Sequence, residues 1–257
     1  MGKDSAASYE LRCGEVYKYV KIIRNYISAY YGEKALAYYV RYMRKEDITQ
    51  VNAIDREAFP TQWPPPDYRR ELQNPLSRLI VVCDDSQKTE EPEIDIPQGD
   101  VSGPMSRIKR WWQRNGFFRE KSPPSSSQSI TGFASMWVMA DEAHITNIAV
   151  RQSCRRQGIG ELLLILIIDL AAELKASIAT LEVRVSNLPA QNLYNKYGLV
   201  QVGLRRAYYT DNREDALLMS TSSITSAPFQ AQLQQLKGAH TLKYGERFKS
   251  LTGSTSA

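Results

Sequence analysis

The chain predicts a mixed α/β (α+β) fold, a mixed central sheet flanked by helices. Three observations carry this. Runs that alternate apolar and polar residues recur as strands, as in Ser129–Met139 (SITGFASMWVM). Stretches with the helical period stand between them, as in ELLLILIIDLAAEL from Glu161. One strand-helix-strand unit around residues 144–185 is expected to give a parallel pair, because parallel neighbours need a crossover.

The elements follow in order. Val16, Val20, Ile23, Ile27 and Tyr30 repeat at helical spacing, with Lys18, Lys21 and Arg24 between them; Gly32 stops this amphipathic helix. Residues 1–36 therefore read as an N-terminal helical extension, docked on the domain. YYVRYM (Tyr38–Met43) reads as a strand. Asp47 is expected to cap the next helix, ITQVNAIDREAF, with Gln50 completing a capping box. Phe59–Tyr68 must be loop, since Pro64, Pro65 and Pro66 forbid helix and ladder alike. YRRELQ reads as a short helix and RLIVVC (Arg78–Cys83) as a strand.

Residues 84–128 change character and read as a partly disordered insertion. An acidic piece, DDSQKTEEPEIDIPQGD, and SPPSSSQS flank a basic aromatic one, MSRIKRWWQRNGFFREK. The middle piece, residues 105–121, has two readings. It is a small helix packed over the domain, or a weak patch for RNA or membrane built from Trp111, Trp112, Phe117 and Phe118 beside Arg107, Lys109, Arg110 and Arg114.

Order returns with SITGFASMWVM, HITNIAV, the helix ELLLILIIDLAAEL and the strand SIATLEVRVS. A helix then begins near Asn187, carries Pro189 in its first turn and stops at Gly198. LVQVGLRR and DALLMS complete the strands. The main domain thus spans 37–220, and the polar stretch 221–257 reads as a flexible tail.

Composition narrows the chemistry. A chain of 257 residues, 42% hydrophobic, suits one domain with appendages. The net charge of +5 permits an acidic partner and demands none. Three scattered cysteines, Cys13, Cys83 and Cys154, predict no disulfide framework and point to a reducing compartment. With only two histidines, a zinc site or a histidine triad is not expected, so no metal is predicted and a general base should be a carboxylate. The N-terminus lacks an apolar signal core, and the run Leu162–Ile168 is too short to span a bilayer. A soluble cytoplasmic protein without a transmembrane segment is expected.

Between HITNIAV and the apolar helix lies Arg155-Arg156-Gln157-Gly158-Ile159-Gly160. Glycines at a strand-to-helix turn let backbone N–H groups approach a ligand, and the first helical amides are unpaired at the positive end of the dipole. Such a turn suits phosphate. A dinucleotide fingerprint would want glycine at Leu163, and Gly160-Glu161-Leu162 does not fit a P-loop.

The spacing Arg155-x-x-Gly158-x-Gly160 resembles motif A of the GNAT superfamily of acyl-CoA-dependent N-acetyltransferases. NIAV (Asn147–Val150), LEVRVSN (Leu181–Asn187), LYNKYGL (Leu193–Leu199) and RRAYYTDNREDALLM (Arg205–Met219) follow in order. Together they resemble the RimI type, the ribosomal-protein-alanine N-acetyltransferases, closely over 130–220 and more weakly over 38–83. The resemblance implies the GNAT fold, acetyl-CoA as cosubstrate and a protein N-terminus, an alanine of a ribosomal protein, as acceptor. Broader N-terminal or lysine acetylation shares this chemistry. A non-catalytic module gripping RNA or membrane is the rival of another class.

By the same resemblance Glu182 is the catalytic base and Tyr194 the proton donor to the CoA thiolate. Partial burial is expected to raise the Glu182 pKa; read from periodicity alone, Thr180, Glu182 and Arg184 form a solvated strand face. Ile148, Ala149 and Val150 would pair with the pantetheine arm through their backbone. Arg155, Arg156, Gln157, Gly158, Ile159, Gly160 and Glu161 would form the diphosphate turn. Asn187 would reach CoA or cap its helix. Phe59, Pro60, Tyr208 and Tyr209 would wall the peptide groove, with plain packing as the alternative. Cys154 is expected to be a bystander.

Overall fold

The computed structural model describes residues 38–61, 66–84 and 129–244. Its strands are β1 (Tyr38–Tyr42), β2 (Ser77–Asp84), β3 (Ser129–Met139), β4 (Glu142–Val150), β5 (Ile178–Arg184), β6 (Val200–Tyr209) and β7 (Glu214–Ser220). Its α-helices are α1 (Ile48–Ala58), α2 (Tyr68–Glu71), α3 (Ile159–Glu173), α4 (Leu188–Lys196) and α5 (Ala227–Tyr244). The strands form one sheet in the order β1-β2-β3-β4-β5-β7-β6. The expected N-terminal helix and, apart from Asp84, the insertion with its basic aromatic patch lie outside the described residues.

Neighbouring strands run antiparallel except β4 and β5. These two are joined by the crossover helix α3, as the strand-helix-strand pattern requires. Their pairing covers only Glu142↔Ile178, Ala143↔Ala179 and His144↔Thr180. Beyond His144 the two strands part, and β4 runs on to Val150 without a β5 partner. An extra residue in β4, Thr146, bulges against β3 between the pairs Ser135↔Asn147 and Met136↔Ile145.

The two faces of the sheet hold separate cores. One packs under α3, where Leu163, Leu164, Ile165 and Ile167 are fully buried beside Ile80 and Met136. Burying each such side chain contributes about 1.5–3 kcal/mol. The other packs under α1 and α2 around Val51, Ile54, Tyr68 and Phe133. A helix apolar on nearly every side needs cover on both sides. For α3 the second cover is α5, whose Phe229 and Leu233 join the same cluster.

Helix α5 corrects the expectation of a flexible tail from residue 221: eighteen residues of it are helical. Its buried residues are Phe229, Leu233, Lys237 and His240. The Lys237 side chain is 4% exposed and its Nζ lies 2.6 Å from Asp169 Oδ1 of α3. A second correction concerns Asp47. It precedes α1 without capping it. Its carboxylate instead accepts from Arg41 at 2.6 and 2.8 Å and from the Arg44 amide at 2.6 Å. Gln50 Oε1 accepts from the Ile130 amide of β3 at 2.9 Å.

The sheet ends on β6, where Val200, Val202 and Leu204 are 56%, 58% and 47% exposed. Its ladder with β7 is interrupted between Gln201 and Gly203 and again between Arg205 and Tyr209.

Candidate active site

The parting of β4 from β5 leaves an opening with a polar floor. Strand alternation puts Leu181 and Val183 into the α3 core, so Thr180, Glu182 and Arg184 share the opposite face. The Glu182 side chain is only 7% exposed. Its Oε2 lies 3.1 Å from His144 Nε2 and its Oε1 lies 3.0 Å from Arg205. The His144 bond and charge, with Arg205 behind them, outweigh burial and hold the Glu182 carboxyl below its ordinary value. The expected upward shift is thereby corrected: burial does push that way, but two cationic or donor partners win.

His144 continues inward. Its Nδ1 is 3.0 Å from Thr180 Oγ1, and that hydroxyl donates to Glu142 Oε1 at 2.5 Å. A threonine hydroxyl has one proton. When it serves Glu142, its oxygen can still accept Nδ1–H from His144, which turns Nε2 toward Glu182. The chain of contacts thus runs from Glu142 through Thr180 and His144 to the Glu182 carboxylate.

Tyr208 and Tyr209 of β6 lie close enough to this carboxylate to feel its charge, and Tyr194 of α4 lies within reach of Tyr209. Burial, then Tyr209, pushes the Tyr194 phenol up to about 12. Burial does the same to Tyr209, also to about 12, against the lowering influence of Arg184. Tyr208 is raised by burial and by the charge of Glu182. Consecutive residues of a regular strand face opposite ways. Here the break before Tyr209, with Ala207 at φ +50°, lets the two rings meet edge to face at 5.2 Å. The Arg184 guanidinium lies 3.8 Å from the centre of the Tyr209 ring and also clamps Asp211 at 2.9 Å.

Asp211 in turn accepts a short hydrogen bond from Thr61. That bond ties the segment after α1, with Phe59 and Pro60, to the β6–β7 turn. Phe59 is half-buried against the α1 core, and Pro60 is exposed. Of the four expected groove residues, the two tyrosines thus stand by Glu182, while Phe59 and Pro60 join them through Thr61 and Asp211.

The turn after β4 has the shape that an anion needs. Arg156 has φ +63° and Gly158 φ +87°, two left-handed residues that curl successive N–H groups to one side. Helix α3 starts directly at Ile159. Its first amides have no carbonyl within the helix. The side chains here are occupied otherwise. Arg155 Nε donates to Val150 O at 3.2 Å, Gln157 Nε2 to Ser153 O at 3.3 Å, and Ile159 is buried in the core. Glu161 accepts from Lys196 at 2.5 Å and from the Tyr197 hydroxyl at 2.7 Å. Backbone amides therefore face a ligand of this turn, with the exposed Arg155 and Arg156 beside them. Ile148, Ala149 and Val150 pair with Ala134, Phe133 and Gly132 of β3, leaving their other edge toward the opening. Asn187 caps α4 by accepting from the Ala190 amide at 3.3 Å.

Sequence reasoning missed His144, Thr180 and Arg205. A signal existed for the first two: aligning β4 on β5 as a parallel pair sets His144 against Thr180, one step from Glu182 on the same face. Arg205 carried none, because its reach to Glu182 depends on the irregular β6.

The chain is similar to known proteins across most of this structure. The profile of the Acetyltransferase (GNAT) family matches residues 48–199, more than half of the chain. A Bacillus subtilis (strain 168) protein provisionally named [ribosomal protein bS18]-alanine N-acetyltransferase is 33% identical over 181 residues, 70% of this chain and 92% of its own. An N-alpha-acetyltransferase of Sulfurisphaera tokodaii is 32% identical over 190 residues, 74% of this chain and 95% of its own. In fold, the chain resembles the crystal structure of the ribosomal-protein-S18-alanine N-acetyltransferase from Escherichia coli, with a TM-score of 0.53 and 23% identity over 74% of this chain and 97% of that one.

Proposed function

The chain belongs to the acetyltransferase (GNAT) family, and from that premise we propose a protein Nα-acetyltransferase acting on the N-terminal alanine of a ribosomal protein. Acetyl-CoA would supply the activated thioester. The nest at Arg156 to Gly158 and the free amides opening α3 fit its diphosphate. The β4 edge at Ile148–Val150, parted from β5, fits its pantetheine arm.

Glu182 with His144 is the observation that carries this reading. An α-ammonium group, with a pKa of ~8, must lose a proton before its nitrogen can attack the thioester carbon. Glu182, ionised and nearly buried, orients that group or a water between them. The Glu182 carboxylate, directly or through that water, accepts the proton, while His144, fixed by Thr180, stays against its other side. The N–C bond forms as the C–S bond breaks. Tyr194, protonated with its phenol near 12, donates a hydrogen bond to the leaving thiolate. A thiol at ~8.5 leaves readily, so full proton transfer from Tyr194 is not required. The Thr61–Asp211 bond and the paired tyrosines narrow the approach and favour a chain end over a lysine side chain.

The test is thiol release from acetyl-CoA with three peptides: an alanine-first ribosomal sequence, the same peptide with a blocked terminus, and a terminally blocked peptide with an internal lysine. The reading requires turnover of the first alone. Turnover of the blocked, lysine-containing peptide in its place would overturn it.

A further inference from the structure

Helix α5 reaches the turn that opens α3. His240 Nε2 lies 3.1 Å from the carbonyl oxygen of Gly158. That oxygen also accepts the first bond of α3, from the Leu162 amide at 2.9 Å. Tyr244 closes over the same residue. A Cβ placed on Gly158 would lie 2.7 Å from the Tyr244 ring and 3.1 Å from His240 Nε2, so no side chain fits there. The Lys237–Asp169 pair anchors α5 to α3.

The bond to Gly158 has a consequence one atom further on. The carbonyl of Gly158 and the N–H of Ile159 are opposite ends of one planar trans unit. Holding the carbonyl on the α5 side aims the Ile159 N–H the other way. That N–H is among the helix-start donors with no helical acceptor. Donation into the carbonyl also polarises the amide and strengthens it as a donor. Burial pushes the His240 imidazole below its ordinary value, which keeps the ring neutral with its proton on Nε2 toward Gly158.

We propose that His240 is a positioning residue for the donor substrate: through Gly158 it orients the Ile159 amide toward the diphosphate of acetyl-CoA. The C-terminal helix is then part of the donor site. This rests on the reading of residues 155–160 as the diphosphate turn.

The experiment compares two donors in the full chain: acetyl-CoA, and acetyl-pantetheine, which lacks the diphosphate. His240→Phe should raise KM for acetyl-CoA about three- to tenfold, the loss expected of one hydrogen bond, with kcat held. Its kcat/KM for acetyl-pantetheine should stay at the wild-type value. His240→Gln, which keeps an N–H donor at similar reach, should restore KM to within about twofold. His240→Asn, whose amide stops short of Gly158, should match His240→Phe and serves if the phenylalanine variant does not fold. An unchanged KM for acetyl-CoA overturns the proposal, and so does an equal loss with both donors, which would mark a purely structural role. If the wild-type chain gives no heat with coenzyme A and no turnover, the diphosphate reading itself fails, and the proposal with it.

Discussion

His144 Nε2, in the last paired rung before β4 and β5 separate, stands 3.1 Å from Oε2 of Glu182, two residues beyond its rung partner Thr180. The pair sits where two strands stop sharing hydrogen bonds. Its chemistry follows from that place: one side is core, the other is the opening. Removing either partner leaves the other with a single neighbour, Arg205 for Glu182 and Thr180 for His144.

Glu182→Gln removes the proton acceptor and keeps the shape. kcat with the alanine-first peptide should fall about a hundredfold or more, while KM for acetyl-CoA holds. Steady-state kinetics of thiol release measures both. A variant that keeps most of its rate would place the base elsewhere.

The pH dependence follows from the depressed Glu182 value. With His144 present, Glu182 is ionised down through its usual value of 4.5, so it imposes no acid limb on kcat/KM near neutrality. His144→Asn removes the largest lowering influence and leaves burial, which raises, opposed by Arg205, which lowers. The acid limb should then move up from its wild-type position. Stability has a matching sign. A carboxylate depressed in the native state stabilises above its unfolded value, and that stability is lost as pH falls through the native value. Acid denaturation followed by circular dichroism should show a smaller loss in His144→Asn, from a lower starting stability.

Tyr194→Phe should cost less than Glu182→Gln, about tenfold or below. The phenol, pushed up to about 12, assists a thiolate that leaves readily without it. Rates with both variants under identical conditions decide the order, and the reverse order would make Tyr194 the dominant group.

Asp211→Asn should loosen the join between the β6–β7 turn and the segment after α1, since Asp211 serves both Thr61 and Arg184. KM for the peptide should rise several-fold, with KM for acetyl-CoA unchanged. Equal changes in both constants would mean that the join does not border the acceptor path.

Lys237→Met should destabilise the fold by about 3–5 kcal/mol, because Asp169 keeps its charge beside α5 without its cation. The double variant with Asp169→Leu should recover most of that loss in urea denaturation. A single variant as stable as wild type would show that the pair contributes nothing.

Much of this architecture was legible in the residues. Gly158 and Gly198 marked the start of α3 and the end of α4 because both adopt positive φ, at +87° and +82°. The alternation in SITGFASMWVM and the crossover around α3 set the strands in order. Helix α5 was hidden for a definite reason. The face it buries carries Lys237 and His240 as well as Phe229 and Leu233, so it shows no continuous apolar stripe. Asp47 looked like a cap because helix starts favour such residues, yet Arg41 offers it two charged donors. The Glu182 environment was out of reach because Arg205 arrives from a strand whose path is set by bulges.

The broken ladder of β6 has an effect beyond the site. Val200, Val202 and Leu204 make its outer rim greasy enough to invite a second copy to zip alongside. Two kinks within ten residues leave no uninterrupted length for such a zipper to run. The irregularity that lets Tyr208 and Tyr209 meet thus also shortens the regular strand edge that the described residues present.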